Sequence, residues 1–154
     1  MEIKEALEKA IAYEQEVRDA YKEAMKLAEN PEIKALLSQL AVEEHGHVLY
    51  LEEAQKLWQE TGEEKFPEPE SALDREAIET SLIAIRGSLL AADKNIDLMS
   101  ALFRALNVEE ETYLFYKKLA EELSPEHKKA FDRFVRIENK HLVTVRSIID
   151  AFSK

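Results

Sequence analysis

The sequence predicts an all-α fold: a four-helix bundle of two antiparallel helical hairpins joined by a long crossover that contains a short helix. Three observations predict it. Only 3 Gly and 4 Pro occur in 154 residues, and Ala, Leu, Glu and Lys dominate, the residues that lose least freedom in a helix. Four long stretches carry apolar residues at steps of three or four, the period of one helix face. The two halves of the chain also repeat one another.

The first helix, about residues 2–29, carries the stripe Ile3, Leu7, Ala10, Glu14, Val17, Tyr21, Met25, Ala28 and stops at Asn30-Pro31, because proline disfavours helix in the residue before it. The second, about 31–60, carries Ile33, Leu37, Leu40, Glu44, His47, Leu51, Ala54 and Trp58, and ends near Thr61-Gly62. The crossover, about 62–96, begins with a loop around Pro67 and Pro69 and continues with Ile78, Leu82, Ile85 and Leu89, which suggest the short helix. The third long helix, about 97–123, carries Leu98, Leu102, Ala105, Glu109, Thr112, Tyr116, Leu119 and Leu123. Ser124-Pro125 then reads as an N-cap followed by proline at the first helical position. The fourth, about 125–152, carries Phe131, Phe134, Glu138, His141, Val145, Ile148 and Phe152. The whole chain, 1–154, reads as a single domain of ordinary size.

Each stripe is interrupted near its middle by a carboxylate, and two of them by a histidine as well. Glu14 and Tyr21 return as Glu109 and Tyr116, displaced by 95 residues; Glu44 and His47 return as Glu138 and His141, displaced by 94. Such internal similarity points to two hairpins of common design. Glu14 lies 16 residues before Asn30 and Glu44 lies 14 after it, so at about 1.5 Å per residue both sit roughly 20–24 Å from the turn. Around Ser124 the counts are 15 and 14. Short turns make each hairpin antiparallel, so four carboxylates and two imidazoles share one layer of the core.

Burying four carboxylates uncompensated would cost far more than the ~5–15 kcal/mol stability of a domain. Protonation or water could relieve them; two divalent cations are the simpler solution, their charge of +4 balancing −4. Glu and His three residues apart lie on one helix face and reach one metal. Oxygen and nitrogen donors without thiolate suit iron or manganese for redox work, and zinc as a bound ion. A lone Glu-x-x-His is weak, since about one is expected by chance among 32 acidic residues and 4 His, and it usually marks a surface ion pair. Two in register, each paired with a Glu interrupting another stripe, are specific. A Glu from each of two helices with Glu-x-x-His from each of the other two is the ligand arrangement of di-iron and di-manganese carboxylate bundles. The expected metal ligands are therefore Glu14, Glu44, His47, Glu109, Glu138 and His141, and the expected cofactor is two iron ions.

Other residues have blander readings. His45 and His127 lie off the stripes and are expected in solvent, as are Glu43, Glu110 and Glu111. Met25 and Trp58 are expected in the core. Tyr21 and Tyr116, two turns beyond Glu14 and Glu109, either cap the core or hydrogen-bond the site carboxylates, fixing ligand orientation. The absence of cysteine removes disulfides, thiolate catalysis and iron–sulfur ligation. A net charge of −11 makes nucleic acid and anionic membranes poor partners. No stretch approaches the ~20 apolar residues of a membrane span, and Met1-Glu2-Ile3-Lys4-Glu5 has no signal-peptide pattern, so the expected compartment is the cytoplasm.

The pieces Ala10-Ile11-Ala12-Tyr13-Glu14, Leu40-Ala41-Val42-Glu43-Glu44-His45-Gly46-His47 and Glu109 through Tyr116 resemble the rubrerythrin branch of the ferritin-like di-iron carboxylate proteins. The resemblance implies that Glu44 and Glu138 bridge two metals, that Glu14 and Glu109 are terminal carboxylates, and that His47 and His141 are terminal imidazoles. It implies reduction of peroxide or O2, or oxidation of ferrous iron, in oxidative-stress defence, and a homodimer. Iron binding or storage with incidental oxidase activity is the alternative. Rubrerythrins usually carry a further Glu where this chain has Thr112, so the six-residue set is closer to bacterioferritin and simpler members. Full-length rubrerythrins append a rubredoxin domain with four cysteines; with none here, a separate electron-donor protein is expected.

Overall fold

The computed structural model describes residues 1–153. The elements are α1 (Ile3–Leu27), α2 (Pro31–Thr61), α3 (Arg75–Ser88), a 3₁₀ turn (Ala91–Asp93), α4 (Ile96–Glu122) and α5 (Pro125–Ala151). The fold is all-α, and no strand occurs among the described residues. No helix among them is long and apolar enough to cross a membrane.

Local chemistry accounts for the helix ends. Asn30 caps α2: its Oδ1 accepts from the backbone N–H of Glu32 at 3.0 Å and of Ile33 at 3.1 Å, two of the donors a helix start leaves without partners. Gly62 closes α2 at φ 73, the left-handed conformation that costs glycine least. Asp74 and Asn95 cap α3 and α4 through Ala77 N–H and Leu98 N–H. Ser124 stands at the expected N-cap of α5 with Pro125 behind it, but its side chain makes no capping bond; the proline and backbone alone turn the chain there.

The helices α1 and α2 form one hairpin and α4 and α5 the other, while α1 packs on α4. Cross-contacts fix the direction: Arg104 meets Glu23 and Phe115 meets Tyr13, so α1 and α4 are antiparallel and α2 and α4 run the same way. The connection between them must therefore travel the length of the bundle, and α3 lies across α2 and α5 on that path.

Two apolar clusters make the core. One gathers Val17, Tyr21, Leu37, Leu40, Leu102 and Val145 with α3; the other gathers Leu7, Ala10, Leu51, Tyr116, Phe131 and Phe134. The buried residues Glu14, Glu44, His47, Glu109, Glu138 and His141 belong to neither cluster and interrupt the stripes that feed both. Met25 and Trp58, expected in the core, are only partly buried. Each sits in the last turn of its helix, where a stripe position faces less of the neighbouring helices.

Candidate metal centre

Six side chains from four helices converge, as their nearly equal depth from the two turns led one to expect. Glu14 comes from α1, Glu44 and His47 from α2, Glu109 from α4, and Glu138 and His141 from α5. They form two overlapping groups, Glu14–Glu44–His47–Glu138 and Glu44–Glu109–Glu138–His141, with the facing donor atoms of each group within 4.8 Å of one another. Glu44 and Glu138 belong to both.

Both imidazoles turn Nδ1 into the cluster. His47 Nδ1 lies 2.8 Å from Glu14 Oε2, 3.0 Å from Glu138 Oε1 and 3.5 Å from Glu44 Oε2. His141 Nδ1 lies 2.5 Å from Glu44 Oε1 and 3.8 Å from Glu138 Oε2. Burial pushes the Glu14 carboxyl up to about 8, with the Glu44 charge adding and His47 opposing. Burial, then the charges of Glu14 and Glu44, push Glu138 up to about 8 as well. Glu44 and Glu109 are raised by burial first and by a neighbouring carboxylate second. Burial alone would lower His47, but the Glu14 charge and carboxylate bonds carry it well above its ordinary value. His141 is raised against its burial by Glu43, Glu138 and Glu109. These shifts all favour protons on the buried carboxyls and imidazoles.

Whether cations fit can be tested on the polar atoms left over. Among the described residues, the buried side-chain N and O atoms without a hydrogen-bond partner are Glu14 Oε1, Glu44 Oε2, His47 Nε2, Glu109 Oε1, Tyr116 Oη, Glu138 Oε1 and Glu138 Oε2. Glu138 Oε1 is close to His47 Nδ1 but out of line for a bond. Native interiors leave few such atoms unpaired, and here five are carboxylate oxygens in one layer. Oxygen and imidazole nitrogen with no thiolate is a donor set for iron, manganese or zinc. The residues fit a pair of divalent cations.

The tyrosines divide. Tyr21 Oη donates to Glu109 Oε2 across the α1–α4 interface, so it meets a site carboxylate. Tyr116 Oη has no hydrogen-bond partner; burial, then the charge of Glu14, hold it well above the ordinary phenol range. Thr112 is buried, but its Oγ1 donates to the Val108 carbonyl one turn back at 2.8 Å, so its hydroxyl is spent on its own helix.

A family model described as Rubrerythrin matches residues 5–149. The chain belongs to the rubrerythrin family. Comparisons with curated proteins and with solved structures gave no significant match. Membership supports a di-iron protein and agrees with a buried Glu/His cluster able to hold metal.

Two residues of this rubrerythrin-family chain lie where sequence reasoning did not put them. Glu43, expected at the surface, leaves its side chain only 8% exposed and sets Oε1 2.7 Å from His141 Nε2. Burial would raise it, but the His141 bond, the Leu73 N–H and the Ser71 hydroxyl bring it down to about 2. His127, expected in solvent, is buried; its Nε2 lies 2.8 Å from Glu64 Oε2 and its ring meets Phe66 edge-on. Both are covered by the crossover, a contact helical periodicity does not encode. His45, Glu110 and Glu111 are exposed, as expected. A cleft of about 1190 Å³ reaches the centre at His47, with Glu43, Gly46, Tyr50, Ser71 and Arg133 in its wall.

Proposed function

We propose that the protein is a di-iron carboxylate oxidoreductase that reduces peroxide or O2, or oxidises ferrous iron, as part of oxidative-stress defence. The observation that carries this reading is the sharing of Glu44 and Glu138 between two four-residue ligand groups, which suits two ions side by side better than one. Glu14 and His47 would complete one position, Glu109 and His141 the other. A ferrous pair, when bound, supplies the two electrons that convert one peroxide and two protons into two waters.

The chain's own residues do the rest. Ligands on four packed helices hold the centre in a fixed shape, which spares reorganisation when charge moves. The apolar clusters on either side exclude bulk water from the layer. The cleft at His47 admits a small oxidant. Tyr21 keeps its proton at Oη, because burial and then Glu109 raise its pKa well above 10, and so fixes Glu109 Oε2. Tyr116 Oη is a second buried hydroxyl free to donate at the layer. Electrons for turnover come, in this reading, from a donor outside these 154 residues, which hold no cysteine for an iron–sulfur centre. The working form in this reading is a homodimer.

Mixing anaerobic ferrous protein with hydrogen peroxide, and separately with O2, while following the optical change to ferric iron tests this directly. One peroxide is expected to oxidise two irons rapidly. A metal-loaded protein inert to both oxidants contradicts the proposal, and uptake of many more than two irons into a shell assembly favours storage instead.

A further inference from the structure

The duplication that builds the site breaks beside it in two places. At the displacement of 94 that relates Glu44 to Glu138 and His47 to His141, Glu43 corresponds to Ile137, and Lys140 corresponds to Gly46. Both charged residues meet the crossover at one point. Ser71 Oγ donates to Glu43 Oε1 at 2.8 Å and Oε2 at 3.0 Å, and Leu73 N–H donates to Oε2 at 2.6 Å. Lys140 Nζ donates to Ser71 Oγ at 2.7 Å. What remains of Glu43 Oε1 faces His141 Nε2 at 2.7 Å. His47 has no counterpart of this network, and its Nε2 is buried without a partner.

We propose that Glu43 is a positioning residue: anchored by Ser71 and Leu73 of the crossover, it holds His141 with Nδ1 toward Glu44 and Glu138, and so makes the two metal positions unequal. The inference rests on the two-metal reading. A ring whose Nε2–H donates to a fixed carboxylate keeps one tautomer and one orientation, and its other nitrogen becomes a better donor to a cation. The position that includes His141 is therefore the tighter, and the one that includes His47 the weaker. Ser71 and Lys140 are tied to the same network, so the crossover itself supports one half of the centre and leaves the other to the cleft.

Anaerobic titration of the metal-free protein with Co²⁺, followed by ligand-field absorption and calorimetry, tests this. The wild type is expected to bind two ions in two steps. Glu43→Ala weakens the tighter step by roughly tenfold to hundredfold, the usual cost of losing such a partner, and changes the spectrum of that step, while the other step stays within about threefold. Glu43→Gln keeps an acceptor for His141 Nε2–H, so it restores most of the affinity. Ser71→Ala, which leaves Glu43 present but less fixed, shifts the same step in the same direction by less. If the alanine variant does not fold, the Gln and Ser71 variants decide. A melting temperature that falls while both steps and spectra stay as in the wild type makes Glu43 merely structural and overturns the inference. A wild type that takes up no pair of ions overturns the two-metal reading, and this inference with it.

Discussion

Glu138→Leu and Glu44→Leu each take the protein from two bound metal ions per chain to none, whereas Glu14→Leu or Glu109→Leu takes it to one. The difference follows from membership: Glu44 and Glu138 are in both ligand groups, Glu14 and Glu109 in one each. Losing a shared carboxylate removes a donor from both positions and leaves the pair one negative charge fewer to share. Leucine approximates the volume of the glutamate it replaces, so the helix packing survives. It also removes a carboxyl whose burial is unfavourable without metal, as the raised pKa values of Glu44 and Glu138 express. Both Glu138 oxygens are buried without a hydrogen-bond partner, and removing such a group relieves a desolvation cost of about 1–3 kcal/mol. The metal-free Glu138→Leu protein should thus melt at or above the wild-type temperature although its metal is gone. Metal analysis with thermal unfolding checks both halves; retention of two ions by either shared-residue variant contradicts the assignment.

Raising the pH from about 5 to 8 destabilises the metal-free protein while it tightens metal binding. In the fold Glu14 and Glu138 keep their protons up to about 8, whereas an unfolded glutamate releases its proton near 4.3. Between these values the native state binds more protons than the unfolded state, so stability falls as pH rises. Their contribution is fully present below the unfolded value and lost as pH passes the folded one. His47 and His141, raised above their ordinary value, act with the same sign, from about 6.5 upward. Glu43, brought down to about 2, acts the other way, but its contribution is already present above the unfolded value and is lost only as pH falls toward 2. At about 1.4 kcal/mol per unit per group, the loss over the window reaches several kcal/mol. Metal binding needs ionised carboxylates and a free Nδ1 on each histidine, so it releases protons and strengthens with pH. Thermal unfolding of metal-free and zinc-loaded protein at pH 5, 6.5 and 8 should show opposite trends; a metal-free melting temperature that climbs across this window contradicts the account.

The long helices and the short one in the crossover were legible because helical periodicity and stop signals are local. The convergence of Glu14, Glu44, His47, Glu109, Glu138 and His141 was legible for a less local reason: two short turns place residues of nearly equal count at nearly equal height. The path of the crossover was not legible. Its residues follow no period, and what they cover depends on how the loop lies over α2 and α5. Tyr50 Oη donates to the Pro67 carbonyl at 2.5 Å, Phe66 packs on Phe131, and Ser71 reaches Glu43. Those contacts bury His127 and Glu43, both of which look like solvent positions on a helical wheel. Met25 and Trp58 err the other way, since a stripe does not show where its helix outruns its neighbours. Of the two tyrosines, repetition suggested equal roles; the structure gives Tyr21 a carboxylate partner and leaves Tyr116 Oη without one. The signal that could have found Glu43 was the broken repeat itself, a carboxylate standing where the second hairpin has Ile137.

In the proposed reading a pair of cations occupies the layer between the two apolar clusters. A crystal structure of anaerobically iron-loaded protein, with anomalous scattering recorded at the iron edge, would locate them. Two peaks per chain are predicted, both within bonding distance of Glu44 and Glu138, one also beside Glu14 and His47 and the other beside Glu109 and His141. A single peak, or iron bound only at the acidic surface, would contradict it.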